Sequence, residues 1–241
     1  SQGPDDATRL TLLAHGTEFQ KEKYLKPLLN GEKRVCYSMT EKAAGADATG
    51  MRTTAVKDGN SNYIMNGEKW FSSAASAADL AVVMARTDPD APRHRQFSTF
   101  IVELPNPGYI IKRDIKTMAI EGPLSQVMGG GHSEIEIKDL VVPAENLLGG
   151  EGNGFNMGQH RLSYGRLRHG MHNVAMAQRA LDLATAHVTQ RSTFGKPLHE
   201  RQGVQFMLAE CASELYMARL MLLHIAYKAE KGMDLRQENS I

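Results

Sequence analysis

The chain is predicted to belong to the α+β class, as an antiparallel β-barrel or sandwich domain flanked by helical segments. Three observations point there. Residues 34–142 carry strand and turn signals and no sustained helical pattern, which disfavours a βαβ alternation. Helical periodicity precedes this stretch and returns after it. A glycine-rich run, Gly149–Gly154, stands where the period changes. The expected division is residues 1–33 as the end of a helical domain, 34–148 as a middle β-domain, and 149–241 as the start of a helical bundle.

Residues 6–29 read as one helix, or as two with a break near Gly16. Leu10, Leu12, Leu13, Phe19, Tyr24, Leu25 and Leu28 form its apolar stripe, Pro27 sits near its end, and Gly31 is a stop signal. So short a segment cannot bury that stripe alone. It packs on the next domain, or on helices that preceded it.

In the β region, Asp58-Gly59-Asn60 and Asn66-Gly67 read as turns around a short strand at Tyr63–Met65. Leu80–Ala85, Ser98–Leu104 and Tyr109–Lys112 read as further strands, with a turn at Pro105-Asn106-Pro107-Gly108. Ser133–Lys138 alternates, Ile135 and Ile137 on one face and Glu134, Glu136 and Lys138 on the other. Glu121–His132, with its Gly129-Gly130-Gly131 run, reads as a long linker, and Gly149–Gly154 as a hinge.

Two long helices are expected beyond the hinge. Val174, Ala177, Leu181, Ala184 and Val188 mark one; Val204, Leu208, Cys211, Leu215, Ala218, Leu222, Ile225 and Ala229 mark the other. A turn at Gly195-Lys196-Pro197 joins them, so they should pack antiparallel. Two helices make half a bundle, and the chain is therefore expected to be cut at both ends.

With 241 residues, 41% hydrophobic and 23% charged, the chain can build a sizeable core. A net charge of +1 gives no reason to expect nucleic acid as a partner. Cys36 and Cys211 lie far apart, fit no metal spacing, and suggest a reducing compartment. No apolar run is long enough to span a membrane, and the first residues do not form a signal peptide. Bacterial cytoplasm or an organelle matrix is the expected location. Gly150-Glu151-Gly152-Asn153-Gly154 lacks the parallel strand unit that a dinucleotide fingerprint needs. His160, His169 and His172 come without a carboxylate pattern and read as solvated helix residues rather than a metal site. There is no Gly-x-Ser-x-Gly elbow of a hydrolase.

The stretch Tyr37–Ser73 carries the chemistry. Thr40, Ser72 and the backbone around Met39 can donate hydrogen bonds, Trp70 offers a flat apolar face, and Ala43-Ala44-Gly45-Ala46 lets a backbone come close to a ligand. A flavin asks these things of a protein. On composition alone, the plainer reading is a core aromatic and a surface loop.

The motifs, taken together, resemble the acyl-CoA dehydrogenase family. Tyr37-Ser38-Met39-Thr40-Glu41, followed by Gly45-Ala46-Asp47, is similar to the family's Tyr-x-x-Thr-Glu-x-x-x-Gly-Ser-Asp. Lys69-Trp70-Phe71-Ser72 is similar to its Lys-x-Trp-Ile-Thr/Ser. Leu140–Gly149 and the Glu-Gly-Asn-Gly-Phe after it resemble Val-x-Val-Pro-x-x-Asn-x-Leu-Gly-x-x-Gly-x-Gly-Phe. Ala177–Leu181 and Gln190–Leu198 match the third-domain helix and its Arg-x-x-Phe-Gly motif. The matches run in order from Arg34 to about Ala226.

The resemblance implies FAD held by Tyr37, Met39, Thr40, Gly45, Trp70 and Ser72, with Arg191, Thr193, Phe194 and Gln202 reaching the FAD of a neighbouring subunit in a homodimer or homotetramer. Arg166 falls where the family has an Arg near CoA, Ser163 where an Asp is common, and Ala46 where a Ser lies near the CoA chain. The implied reaction is α,β-dehydrogenation of an acyl-CoA thioester, in which a carboxylate removes the α-proton, hydride goes to the flavin, and electrons pass on to an electron-transferring flavoprotein. No residue here can be named as that carboxylate. Most members carry it beyond the position of Ile241, and the position used by one branch is Gly165. A chain of this extent alone is expected not to turn over. Glu121–His132 and Gly165–His169 look more like the branch fused to a phosphotransferase-like domain. Nitroalkane-oxidising flavoproteins and non-catalytic DNA-binding relatives share the fold and are the alternatives.

Overall fold

The structure, a computed structural model, describes residues 5–117 and 130–240. Most of the linker read at Glu121–His132, Gly129 included, lies outside the described residues. The chain divides into two compact units, one through Arg161 and one from Leu162.

The break expected at Gly16 is made by a capping box. Helix α1 (Asp5–His15) stops, and a Cβ on Gly16 would stand 2.5 Å from the Leu12 carbonyl oxygen. Thr17 then accepts from the Gln20 N–H (3.2 Å) while the Gln20 side chain accepts from the Thr17 N–H (3.2 Å). The chain continues as α2 (Glu18–Gln20), a π turn (Lys21–Leu25) and α3 (Lys26–Leu29). Leu12, Tyr24, Leu25 and Leu28 are buried against Val35, Leu80, Val82, Ile101, Leu148 and Met157, whereas Leu10, Leu13 and Phe19 stay exposed. These helices therefore cover the sheet. Gln20 fixes them there, its amide donating to the carbonyls of Glu145 (2.7 Å) and Leu147 (3.0 Å).

The strands are β1 (Val35–Ser38), β2 (Thr54–Lys57), β3 (Asn62–Ser73), β4 (Leu80–Arg86), β5 (Phe97–Glu103), β6 (Tyr109–Ile115), β7 (His132–Pro143) and β8 (Leu147–Leu148). They form one open sheet in the order β6-β7-β3-β2-β4-β5-β8, with β1 also on β4. The α+β class holds, but the expected closed barrel or sandwich does not. Nor is the sheet wholly antiparallel, since β1 and β2 pair with β4 in parallel. The reason lies in β4, which is buried on both faces. Leu80 and Val82 meet the helices, and Ala81, Val83 and Ala85 join the main core. The β6 edge carries Lys112 and Arg113, ion-paired with Glu136 (2.7 Å) and Glu134 (2.6 Å), and charges of this kind keep an edge from pairing further.

Asn66-Gly67 is not a turn. Strand β3 runs through it, and the irregularity falls opposite, on β7, where Asp139 takes φ 47° and its N–H donates to the Asn66 side chain (2.8 Å). Gly67 is required by crowding. Its φ is +150°, and a Cβ there would lie 2.6 Å from Thr53 Cα. Gly67→Ala is expected to cost about 1–3 kcal/mol, from overpacking and strain, in urea denaturation.

Gly149–Gly154 is a packed turn rather than a hinge. Gly149, Gly150 and Gly152 have positive φ, the Gly152 N–H donates to Ser98 Oγ (2.9 Å), and a Cβ on Gly154 would meet the Ser98 carbonyl carbon at 2.8 Å.

Helix α4 (Gly154–Gln190) begins in the first unit and continues in the second. Within the second unit it lies antiparallel to α5 (Gln202–Glu230), as expected. The Arg219 guanidinium donates to Gln178 (2.8 Å), and Leu222 fills the space left by Gly170. The connection is a small hairpin, β9 (Ser192–Thr193) and β10 (Lys196–Pro197), turned at Phe194 and Gly195 with φ 51° and 74°. An apolar groove of about 530 Å³, lined by Val174, Ala177, Leu181, Leu208, Cys211 and Leu215 among others, runs between the helices.

Candidate functional site: the outer face of the β3 bulge

The end of β1 and the end of β3 are held together at three points. The Trp70 N–H donates to the Thr40 carbonyl (2.7 Å), Ser38 Oγ and Ser72 Oγ are 2.9 Å apart, and the Lys69 ammonium donates to the Met39 carbonyl (3.0 Å). The structure thus brings together Tyr37, Met39, Thr40, Trp70 and Ser72, which are far apart in sequence.

Lys69 and Glu41 are the anchor. Both side chains are almost wholly buried, with Nζ to Oε1 at 2.8 Å. The remaining capacity of the carboxylate is met by the backbone N–H groups of Arg52 (2.6 Å) and Thr53 (3.0 Å). Burial pushes the Glu41 carboxyl up, but Lys69, Thr53 and Arg52 together hold it below its ordinary range. Burial pulls the Lys69 ammonium down, and Glu41 opposes that. The pair ties the loop after Thr40 to β3.

That loop makes a tight turn, in which the Ala44 N–H donates to the Glu41 carbonyl (3.1 Å), and then carries Gly45 and Ala46 at the surface. Nothing stands within 4 Å of a Cβ built on Gly45. Beyond it, Asp47 accepts from the Thr49 N–H (3.0 Å) and pairs with Arg93 (3.0 Å). Tyr37 packs with Met39, Met84 and Phe97, and the Arg161 guanidinium lies 4.0 Å from its ring centroid. The Tyr37 hydroxyl is buried without a hydrogen-bond partner, and burial pushes it up to about 12.

The structure corrects one pair of residues. Simple alternation along β3 puts Trp70 and Ser72 on one face, opposite Lys69. However, an extra residue intervenes, because Lys69 pairs with Ile135 and Ser72 with Ser133. This bulge, with Phe71 at φ 56°, reverses the parity. Ser72 is turned inward and fully buried, its hydroxyl committed to Ser38, whose own hydroxyl lies 2.8 Å from that of Tyr109. Phe71 is turned outward and nearly half exposed, and Ser73 follows it. Trp70 stays half-buried, with Lys42 and Arg113 at 5.5 and 5.6 Å from its ring. Counted from Lys69, the motif Lys-x-Trp-Ile-Thr/Ser places its aromatic at Phe71 and its hydroxyl at Ser73. Ser72→Ala is accordingly expected to cost about 1 kcal/mol of stability and to leave ligand uptake unchanged, measured by urea melts and flavin titration.

Sequence reasoning also missed His132, whose Nδ1 lies 2.7 Å from Ser73 Oγ and whose ring meets Phe71 edge-on at 6.1 Å. Its pairing across a distant strand leaves no local signal.

In the second unit, Arg191, Thr193, Phe194 and Gln202 gather around the β9–β10 hairpin. The Arg191 carbonyl accepts from the Leu198 N–H (2.8 Å), the Thr193 carbonyl accepts from the Arg201 guanidinium, and Phe194 is 98% exposed at the tip. Arg201 was not among the expected residues; it braces the hairpin from the base of α5. Ser163 and Arg166 lie three apart on α4 and share a face, with Arg166 exposed.

An exposed aromatic face, an outward hydroxyl, a buried orphaned phenol and an open approach at Gly45 suit a planar heteroaromatic ligand with polar edges. Comparison with known proteins agrees. Residues 36–139 match the acyl-CoA dehydrogenase middle domain and residues 152–241 the acyl-CoA dehydrogenase C-terminal domain. The chain belongs to the acyl-CoA dehydrogenase family.

Among its relatives is acyl-CoA dehydrogenase family member 11 of Gallus gallus, 39% identical over 233 residues, covering 95% of this chain and 29% of that protein. Another is the caffeyl-CoA reductase-Etf complex subunit CarC of Acetobacterium woodii, 36% identical over 230 residues, covering 95% of this chain and 58% of that protein. A crystal structure of acyl-CoA dehydrogenase from Geobacillus kaustophilus superposes with a TM-score of 0.89 at 35% identity, covering 98% of this chain and 60% of that one. The chain thus spans well under two thirds of the length of each. Among the described residues, no helix is long and apolar enough to cross a membrane.

Proposed function

We propose that the chain supplies the flavin-binding face of an FAD-dependent acyl-CoA dehydrogenase. The observation that carries this is the β3 bulge, which presents Phe71 and Ser73 outward beside Thr40. Flavin, when bound, supplies the two-electron acceptor for α,β-dehydrogenation of an acyl-CoA thioester. The chain's own residues bind and orient it. Phe71 covers a ring face, and Thr40 and Ser73 offer hydroxyls to its polar edge. Met39 and Tyr37 pack beneath, and the Gly45–Ala46 backbone gives close access to the ribityl and acyl-CoA chains. The Lys69–Glu41 anchor keeps these segments in register.

Arg166 and Ser163 are proposed to meet the CoA moiety, guanidinium to phosphate. Arg191, Thr193, Phe194 and Gln202 are proposed to reach the FAD of a second subunit, a role that suits an aromatic so exposed as Phe194. Electron-transferring flavoprotein is the proposed electron acceptor. The name of the Acetobacterium relative, which includes an Etf complex, supports that reading.

The test is direct. Purified protein should be yellow, and an acyl-CoA should bleach it under anaerobic conditions once a carboxylate is in place. Gly165 offers room for one, since nothing lies within 4 Å of a Cβ there. Gly165→Glu is expected to stabilise the helix by about 0.5–1 kcal/mol in thermal melts and to be the variant in which bleaching is sought. Bleaching by a nitroalkane in place of an acyl-CoA would overturn the assignment of substrate.

A further inference from the structure

Ser73 and His132 face one another across the first pair of β3 and β7, with Oγ and Nδ1 2.7 Å apart. A hydroxyl and an imidazole nitrogen so placed can share their hydrogen bond in two ways. With Nδ1 bare and the ring proton on Nε2, Ser73 donates to His132, and the hydroxyl's remaining lone pair is what it offers elsewhere. With the ring proton on Nδ1, His132 donates to Ser73, and the Ser73 proton is released to another acceptor. The ring holds one proton in both settings, so nothing is gained or lost.

We propose that His132 is a positioning residue for the cofactor. Through the direction of its hydrogen bond, it decides whether Ser73 presents flavin N5 with a donor or an acceptor. The inference rests on the flavin reading above and goes beyond it. Oxidised flavin carries a bare N5, which accepts; reduced flavin carries N5–H, which donates. A hydroxyl with a fixed internal partner serves one of these states at the expense of the other. The Ser73–His132 pair serves both, because the imidazole can take either end of the bond.

The position of His132 is itself held. It pairs with Ile115 of β6 and with Ser73 of β3, and its ring packs edge-on against Phe71. The neighbouring Ser133 hydroxyl donates to Asp114 (2.8 Å), which fixes the β6–β7 backbone beside it. Phe71 and Ser73 are outward on β3, so the imidazole supports the aromatic and the hydroxyl from the same side.

The experiment loads the protein with FAD labelled with ¹⁵N at N5. It then records the N5 chemical shift and the two-electron midpoint potential for the wild type, Ser73→Ala, His132→Phe and His132→Asn. Ser73→Ala should move the N5 resonance and the potential. His132→Phe should move both in the same direction although Ser73 is intact, and His132→Asn, whose amide can occupy the place of Nδ1, should restore them towards wild type. A His132→Phe protein that binds flavin with wild-type resonance and potential overturns this inference and leaves the flavin reading standing. A folded wild type that takes up no flavin overturns both. A purely structural role for His132 would lower the melting temperature of both variants without moving the N5 resonance.

Discussion

Lys69→Met is expected to destabilise the first unit by roughly 3–5 kcal/mol, as measured by urea denaturation. The substitution leaves the Glu41 carboxylate buried, its ammonium partner gone and only the two backbone N–H groups of Arg52 and Thr53 to hold it. An uncompensated buried charge is far more costly than a missing contact. The double variant Lys69→Met with Glu41→Gln should recover a large part of the loss, because no charge is then stranded. The pH dependence has a defined sign. Glu41 sits below its ordinary value of 4.5 in the folded protein. Its contribution is therefore complete above that value and is lost as pH falls through the lower folded one. The gap between wild type and Lys69→Met should narrow on acidification in that window. A gap that stays constant down to pH 2 would show that the pair is not coupled as described.

Phe71→Ala is expected to weaken FAD uptake by about tenfold or more, since stacking of an aromatic side chain on a heteroaromatic ring contributes ~1–3 kcal/mol. Trp70→Ala should change it far less. The contrast follows from the bulge, which turns Phe71 outward and leaves Trp70 beside Lys42 and Arg113. Trp70 is the single tryptophan of the chain, so its fluorescence reports binding in the wild type and in Phe71→Ala without labels. Flavin absorbance serves for Trp70→Ala. Equal losses in the two variants would return the ring-covering role to Trp70.

The sequence made the β region, the paired helices and the break at Gly16 legible, because each rests on periodicity or on a backbone demand that a local window contains. The Thr17–Gln20 capping box was readable there as well, since Thr and Gln stand three apart before an apolar run. What was not legible depends on partners distant in the chain. The openness of the sheet is set by β4 being covered on both faces, and no window around Leu80–Arg86 reveals what covers it. Asn66-Gly67 carries the letters of a turn, yet Thr53 packs against the glycine and the strand passes through. In the site, the motif residues of Tyr37–Gly45 were found by resemblance. The choice between Ser72 and Ser73 turned on one extra residue opposite Ile135 and Ser133, which strict alternation cannot see.

That extra residue makes the span from Lys69 to Ser72 intolerant of changes in length in a particular way. Deleting one residue there would exchange the wet and dry sides of everything that follows in β3, carrying Ser73 into the hydrocarbon interior and a core hydroxyl out to solvent. Removing two would restore the sides but shorten the strand. Odd and even deletions should thus differ sharply in soluble yield, a parity rule that surface loops such as Asp58–Ser61 need not obey.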